Sequence, residues 1–123
     1  MNYSLITTYV KDMDTSLEFY TKILGLPIIR QIQAGPNKIT FLEHNGSQLE
    51  LIENKTQKAP HHGSDVSIGY NVSSLEETMD FLKGHGIADI EGPIQPDPST
   101  KFIYIRDPDG LKIQLLERKD RSN

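Results

Sequence analysis

Two stretches of this sequence repeat each other, and that repeat constrains the fold more than any single motif does. Leu5-Ile6-Thr7-Thr8-Tyr9-Val10 is rich in β-branched and aromatic residues and reads as a strand. Asp12 or Asp14 then offers a carboxylate to the free amides of a first helical turn. Met13, Leu17, Tyr20 and Leu24 follow at i, i+4, i+7 and i+11, one stripe of a helix that Phe19 and Ile23 widen. Glu18 and Lys22 are spaced as an i,i+4 pair, and Gly25 supplies a terminator. Further on, residues 66–72 again read as a strand. Ser73 with Glu76, or Ser74 with Glu77, has capping-box spacing, Leu75, Met79 and Leu82 make a stripe, and Gly84 and Gly86 stop it. Sliding the first strand and helix forward by 62 places lays Val10 on Val72, Leu17 on Met79 and Phe19 on Phe81.

Each helix is followed by a strand-rich stretch closing in a tight hairpin. The first runs from Ile39-Thr40-Phe41-Leu42-Glu43 through Asn45-Gly46 into Gln48-Leu49-Glu50-Leu51-Ile52. The second runs from residues 101–106 through Asp109-Gly110 into Lys112-Ile113-Gln114-Leu115-Leu116. Asn-Gly and Asp-Gly between alternating runs are strong hairpin signals. These turns superpose at a shift of about 64, so a small insertion separates the halves. Each half is strand, helix, then two or three strands.

The predicted organisation is a single domain over residues 1–123. Its first module covers about 1–54, a polar linker about 55–64, a second module about 65–119, and a disordered tail 120–123. Residues 91–99 carry three prolines and read as a loop crossing the mouth of whatever the sheet encloses.

Composition narrows the function classes. With 36% hydrophobic and 24% charged residues, the chain suits an ordinary globule. No apolar run approaches the roughly 18 to 20 residues of a spanning helix, so no membrane partner is expected. The N-terminus lacks a basic stretch followed by an apolar one, so a cytoplasmic location is expected, and Asn-x-Ser/Thr triplets at Asn2, Asn45, Asn54 and Asn71 carry no weight. Zero cysteine removes disulfides, thiol catalysis and thiolate metal sites together. A formal net charge of -4 gives no electrostatic reason to approach nucleic acid. No phosphate loop, nucleophile elbow or His-Glu-x-x-His helix occurs.

A tandem βαβββ chain with Val10-Lys11-Asp12-Met13 leading into Ser16-Leu17-Glu18-Phe19-Tyr20, and with Ile105-Arg106-Asp107-Pro108-Asp109-Gly110-Leu111-Lys112-Ile113-Gln114-Leu115, resembles the vicinal-oxygen-chelate superfamily of glyoxalase I, bleomycin resistance proteins and extradiol dioxygenases. The resemblance implies an α+β glyoxalase-like fold, two βαβββ modules whose curved mixed sheets form a cup. The pocket then lies within one chain or across a homodimer, and many members chelate a divalent metal there.

Carried over by that resemblance, the family's four ligand positions fall on Leu5, Glu50, Ser67 and Gln114. Leucine has no lone pair, a serine hydroxyl is a weak ligand, and a glutamine carbonyl is a neutral donor. Only Glu50 is a strong ligand at its place, so no metal cofactor is expected, and a nickel or zinc ion at Glu50 is the contrary case. Alternation puts Leu5, Thr7, Tyr9, Gln48, Glu50 and Ile52 on one surface, with Ile6, Val10, Leu49, Leu51, Ile113 and Leu115 toward the helices.

The candidate ligand-binding residues are therefore Leu5, Thr7, Tyr9, Gln48, Glu50, Ser67 and Gln114, with Glu50 the candidate catalytic residue, as a general base or a cation's partner. The bland readings are a solvated carboxylate at Glu50, solvated polar groups at Ser67 and Gln114, and plain core at Leu5 and Tyr9. His61 and His62 sit in a flexible Pro/Gly context and read as solvated loop. His85 between glycines reads as a helix-end residue, and His44 as a turn residue. The expected function is binding of a small organic molecule, either sequestered or acted on without a conventional metal. Alternatives are a glyoxalase-I-like metal-dependent lyase or isomerase, and a regulatory or interaction module.

Overall fold

The computed structural model describes Met1, residues 4–44 and residues 46–119; the predicted tail and the Asn2 and Asn45 triplets lie outside the described residues. The chain divides into two compact units, Met1–His61 and His62–Asn123. The fold is α+β and glyoxalase-like, with the βαβββ order in each unit.

In the first unit, β1 (Leu5–Val10) leads into α1 (Met13–Glu18), followed by β2 (Ile28–Ala34), β3 (Asn37–His44) and β4 (Ser47–Asn54). The sheet order is β1-β4-β3-β2, with β1 parallel to β4 and the remaining pairs antiparallel. In the second unit, β5 (Ser67–Asn71), α2 (Leu75–Gly84), β6 (Glu91–Asp97), β7 (Thr100–Arg106) and β8 (Lys112–Arg118) repeat that order as β5-β8-β7-β6.

Alternation along the strands sorts the side chains. Thr8, Val10, Leu49, Leu51 and Glu53 are buried on the face toward α1, and Tyr70, Ile103, Ile105, Ile113 and Leu115 on the matching face of the second sheet. Met13, Phe19 and Tyr20 supply the helical side of the first core, and Leu75 and Leu82 that of the second.

Both helices start as their sequences direct, with the alternatives resolved. Asp12 is the N-cap of α1, its Oδ2 accepting from the Thr15 N–H at 2.9 Å, and Ser74 caps α2, its Oγ accepting from the Glu77 N–H at 3.2 Å. A second device is repeated that sequence reasoning did not find. Glu53 Oε2 on β4 accepts from the Met13 N–H at 2.7 Å, and Glu117 Oε1 on β8 accepts from the Leu75 N–H at 2.7 Å. These amides open their helices and have no intrahelical acceptor, so a strand carboxylate satisfies each and fixes helix to sheet.

Three expectations are corrected. The first helix does not run regularly to Leu24: Phe19–Ile23 forms a π turn in which the Leu24 N–H reaches the Phe19 carbonyl. That wider turn accompanies burial of both Phe19 and Tyr20, whose rings meet edge to face at 5.2 Å. The equivalent of Phe19 diverges, since Phe81 is exposed and packs on His85 instead, with centroids 4.2 Å apart.

The proline-rich stretch is not a crossing loop but the edge strand β6, paired with β7 through bulges. Proline is tolerated there because an edge strand has one side free of ladder bonds. The second hairpin is also looser than its Asp-Gly pair suggests. Arg106 pairs with Lys112, and the Asp107 carboxylate accepts from the Asp109 and Leu111 amides inside the loop. The first hairpin closes on the tighter pair His44 and Ser47.

Candidate functional site

The sheet face turned away from α1 is built in rungs. Strand pairing places Thr7 of β1 beside Glu50 of β4, Glu50 beside Phe41 of β3, and Phe41 beside Arg30 of β2. The contacts follow this row: the Thr7 hydroxyl donates to Glu50 Oε1 at 2.7 Å, and the Arg30 guanidinium lies 4.6 Å over the Phe41 ring. Two positions along, Tyr9, Ile52, Ile39 and Ile32 form an apolar row on the same face. Tyr9 is 47% exposed and Ile32 43%, so this row is not sealed into the core. On the other side of Glu50, Leu5 pairs with Gln48 and Gln48 with Glu43.

This face therefore offers a half-buried carboxylate held by a hydroxyl, a cation on an aromatic ring, and an adjoining apolar platform. Small-molecule sites share that make-up, apolar walls with a few placed polar groups. Of the predicted residues, Leu5, Thr7, Tyr9, Gln48 and Glu50 are brought onto one face of one sheet. Phe41 and Arg30 were missed. Phe41 could have been found by counting back from the Asn45-Gly46 turn, which sets it opposite Glu50. Arg30 stands in unbroken register with Phe41, counted from the turn after Ala34, but residues 28–34 are exposed throughout and show no buried face that reads as a strand.

The second unit carries the same face with different chemistry. Gly69, Gln114, Tyr104 and Glu91 form its central row, and Lys112 Nζ stands 4.7 Å over the Tyr104 ring. Asn71, Leu116, Phe102 and Ile94 form the apolar row, and Ser67, Lys112 and Arg106 the flanking one. Where the first unit has a hydroxyl bonded to an acid, the second has a glycine beside an amide. A β-carbon on Gly69 would stand 3.1 Å from Gln114 Oε1, so the missing side chain leaves the space that Gln114 takes. Ser67 is exposed and Gln114 half-buried.

The donor chemistry does not fit a family-type divalent ion. Leu5 contributes no donor, Ser67 and Gln114 are neutral, and the one carboxylate, Glu50, already accepts from Thr7. Among the described residues no three His, Asp or Glu side chains gather as a ligand group.

Two of the histidines, His85 and His61, follow their local structure. His85 ends α2, its Nδ1 2.9 Å from the Phe81 carbonyl, and His61 is exposed. His62 departs from a solvated reading, because its Nε2 is buried and has no hydrogen-bond partner among the described residues. At the end of β1, Asp12 is held below the usual carboxylate range by the Thr15 N–H, then by the Thr15 hydroxyl and Lys55. Lys55 is correspondingly raised, first by its hydrogen bond to Asp12.

Comparison with known proteins agrees with the fold. Residues 3–115 match the Glyoxalase/Bleomycin resistance protein/Dioxygenase superfamily. The chain is 30% identical over 132 residues to a probable lactoylglutathione lyase of Vibrio cholerae, covering 96% of this chain and 93% of that protein. Among solved structures, SMU.1112c superposes with a TM-score of 0.80 at 25% identity, over 95% of this chain and 98% of the other. TnmS3, an antibiotic binding protein from Streptomyces sp. CB03234, superposes with a TM-score of 0.74 at 17% identity over 97% of both chains, a likeness of fold alone. Among the described residues no helix is long and apolar enough to cross a membrane.

Proposed function

The chain belongs to the Glyoxalase/Bleomycin resistance protein/Dioxygenase superfamily, and from that premise we propose that it binds a small organic molecule against the sheet face that carries Glu50, without a resident divalent metal. The observation that carries this reading is the pairing of Glu50 with the Thr7 hydroxyl, at a position that the family resemblance implies for a metal ligand. A carboxylate fixed by one hydroxyl keeps acceptor capacity for an N–H or O–H of a ligand. Tyr9, Ile52, Ile39 and Ile32 offer the ligand's apolar body a partly open platform, and Arg30 over Phe41 offers a cation at the far end of the row. If the bound molecule is also transformed, Glu50 is the group placed to take or return a proton. A cytoplasmic homodimer is the assembly proposed with this reading.

Native mass spectrometry of the purified chain and of Glu50→Gln tests it. Expected is a co-purifying organic mass, retained after treatment with a chelator and lost or reduced at least about tenfold in the variant, as for loss of a charge-assisted hydrogen bond. An unliganded chain that then fails to bind any member of a metabolite library would count against the reading.

The second reading, a metal-dependent lactoylglutathione-lyase-type enzyme, is favoured by the names of relatives at about this identity, including that of Vibrio cholerae. It requires donors beyond Glu50. Turnover of the methylglyoxal and glutathione adduct that depends on added nickel or zinc would establish it over the first.

A further inference from the structure

Beyond Tyr9 the first unit holds a recess of about 230 Å³, lined by the end of β1 and the chain that leaves β4. Its lining includes Lys11, Lys55 and Lys58 and no acidic side chain, in a protein with 17 acidic and 13 basic residues. Lys55 is fixed in place, its Nζ 3.3 Å from Asp12 Oδ1 and 3.6 Å from Glu53 Oε2. Lys58 is exposed and forms no ion pair among the described residues. The exposed Tyr9 ring stands in one wall, and Pro60 lines the recess too.

From this arrangement we propose that the recess is a subsite for a small ring-bearing anion, a single aromatic ring carrying a phosphate or carboxylate group. The ring lies against Tyr9 and the anionic group meets Lys58. A volume below the roughly 300 Å³ of drug-sized pockets limits the occupant to about one ring. Ammonium groups on flexible stems suit a phosphate or carboxylate as point charges. The subsite shares Tyr9 with the proposed ligand face but does not depend on the role of Glu50.

The test is calorimetric titration of the full chain with phenyl phosphate, inorganic phosphate and phenol. Phenyl phosphate is expected to bind at least about fivefold more tightly than either of the others, because ring and charge contacts act together. Raising sodium chloride from about 50 to 500 mM is expected to weaken it at least about fivefold, as screening requires. Lys58→Glu and Tyr9→Ala, both at exposed positions, are each expected to lose at least about fivefold, at unchanged thermal midpoint, while Glu50→Gln stays within about twofold. Equal binding of phenol, equal binding of inorganic phosphate, indifference to Lys58→Glu, or no binding at all would each overturn the proposal. Binding lost in Glu50→Gln but kept in Lys58→Glu would move the anion onto the other face, overturning the subsite while leaving the Glu50 reading intact.

Discussion

Glu50 and Thr7 carry most of what is distinctive about the first sheet. The 2.7 Å bond between them means that Thr7→Val removes a donor without removing bulk. That variant should leave the fold intact and weaken ligand binding about three- to tenfold, as for one hydrogen bond of about 1 kcal/mol. Ligand titration beside a melting curve checks it, and a change in melting temperature with unchanged affinity would show that the bond serves only the fold.

Gly69 offers the opposite experiment. Its β-carbon would press on the far end of a flexible amide, so Gly69→Ala should stabilise the second unit by about 0.5 kcal/mol through reduced unfolded-state freedom while displacing the Gln114 side chain. Gly92→Ala should instead cost more than 1 kcal/mol, on the order of other strained backbone positions. Its φ is +113° and the new carbon would meet the Phe102 carbonyl oxygen at 3.0 Å. Chemical denaturation of the pair separates the two signs.

At the scale of elements, the paired glutamates that fasten each helix to its last strand set the expectations. Glu53 is 5% exposed, so Glu53→Ala leaves the Met13 amide without an acceptor in a buried place and should cost about 1–3 kcal/mol. Glu117 is half-buried, water can replace it, and Glu117→Ala should cost less. Denaturant midpoints of the two variants decide whether burial ranks them.

The Asp12 cap adds a pH dependence. Its carboxyl is depressed in the folded chain, so the stability it contributes is present at neutral pH and lost as pH falls through that lowered value. Asp12→Asn should therefore flatten the acid limb of a melting-temperature profile between about pH 5 and 2. Lys55, raised above its ordinary 10.5, works in the other sense, its contribution persisting at neutral pH and fading only in strong alkali.

The elements also show what could be read in advance. The first strand, both caps and both hairpin positions follow from local chemistry, since Asp12, Ser74 and the Asn-Gly and Asp-Gly pairs act on neighbours within a few residues. The π turn at Phe19–Ile23 could not be read, because it reflects the demand of the core for two adjacent aromatic rings. The strand β6 was hidden by prolines that only an edge accommodates. The glutamate tethers join residues 40 and 42 positions apart, which no local pattern reveals.

On the scale of the whole molecule, one architecture is used twice and its central row has diverged, Thr7, Glu50, Phe41 and Arg30 in one unit against Gly69, Gln114, Tyr104 and Glu91 in the other. Alternation and the repeat placed Glu50 and Gln114 on equivalent faces from sequence. Glu91 escaped because bulges in β6 break the register on which such counting depends, and Arg30 because its strand is exposed throughout and shows no buried face to read. Family membership follows from the fold and from the match over residues 3–115, while the proposed reading, in which the chemistry at the ligand positions does not hold a metal, would set this chain apart from a metal-chelating member.

The most direct test of that separation is isothermal titration of chelator-treated protein with nickel and zinc, run in parallel on Glu50→Gln. Expected is no one-to-one binding tighter than about 10 μM that disappears in the variant, since one carboxylate with neutral neighbours is a weak site. Submicromolar binding of either ion that Glu50→Gln abolishes would contradict it and make the first sheet a metal centre after all.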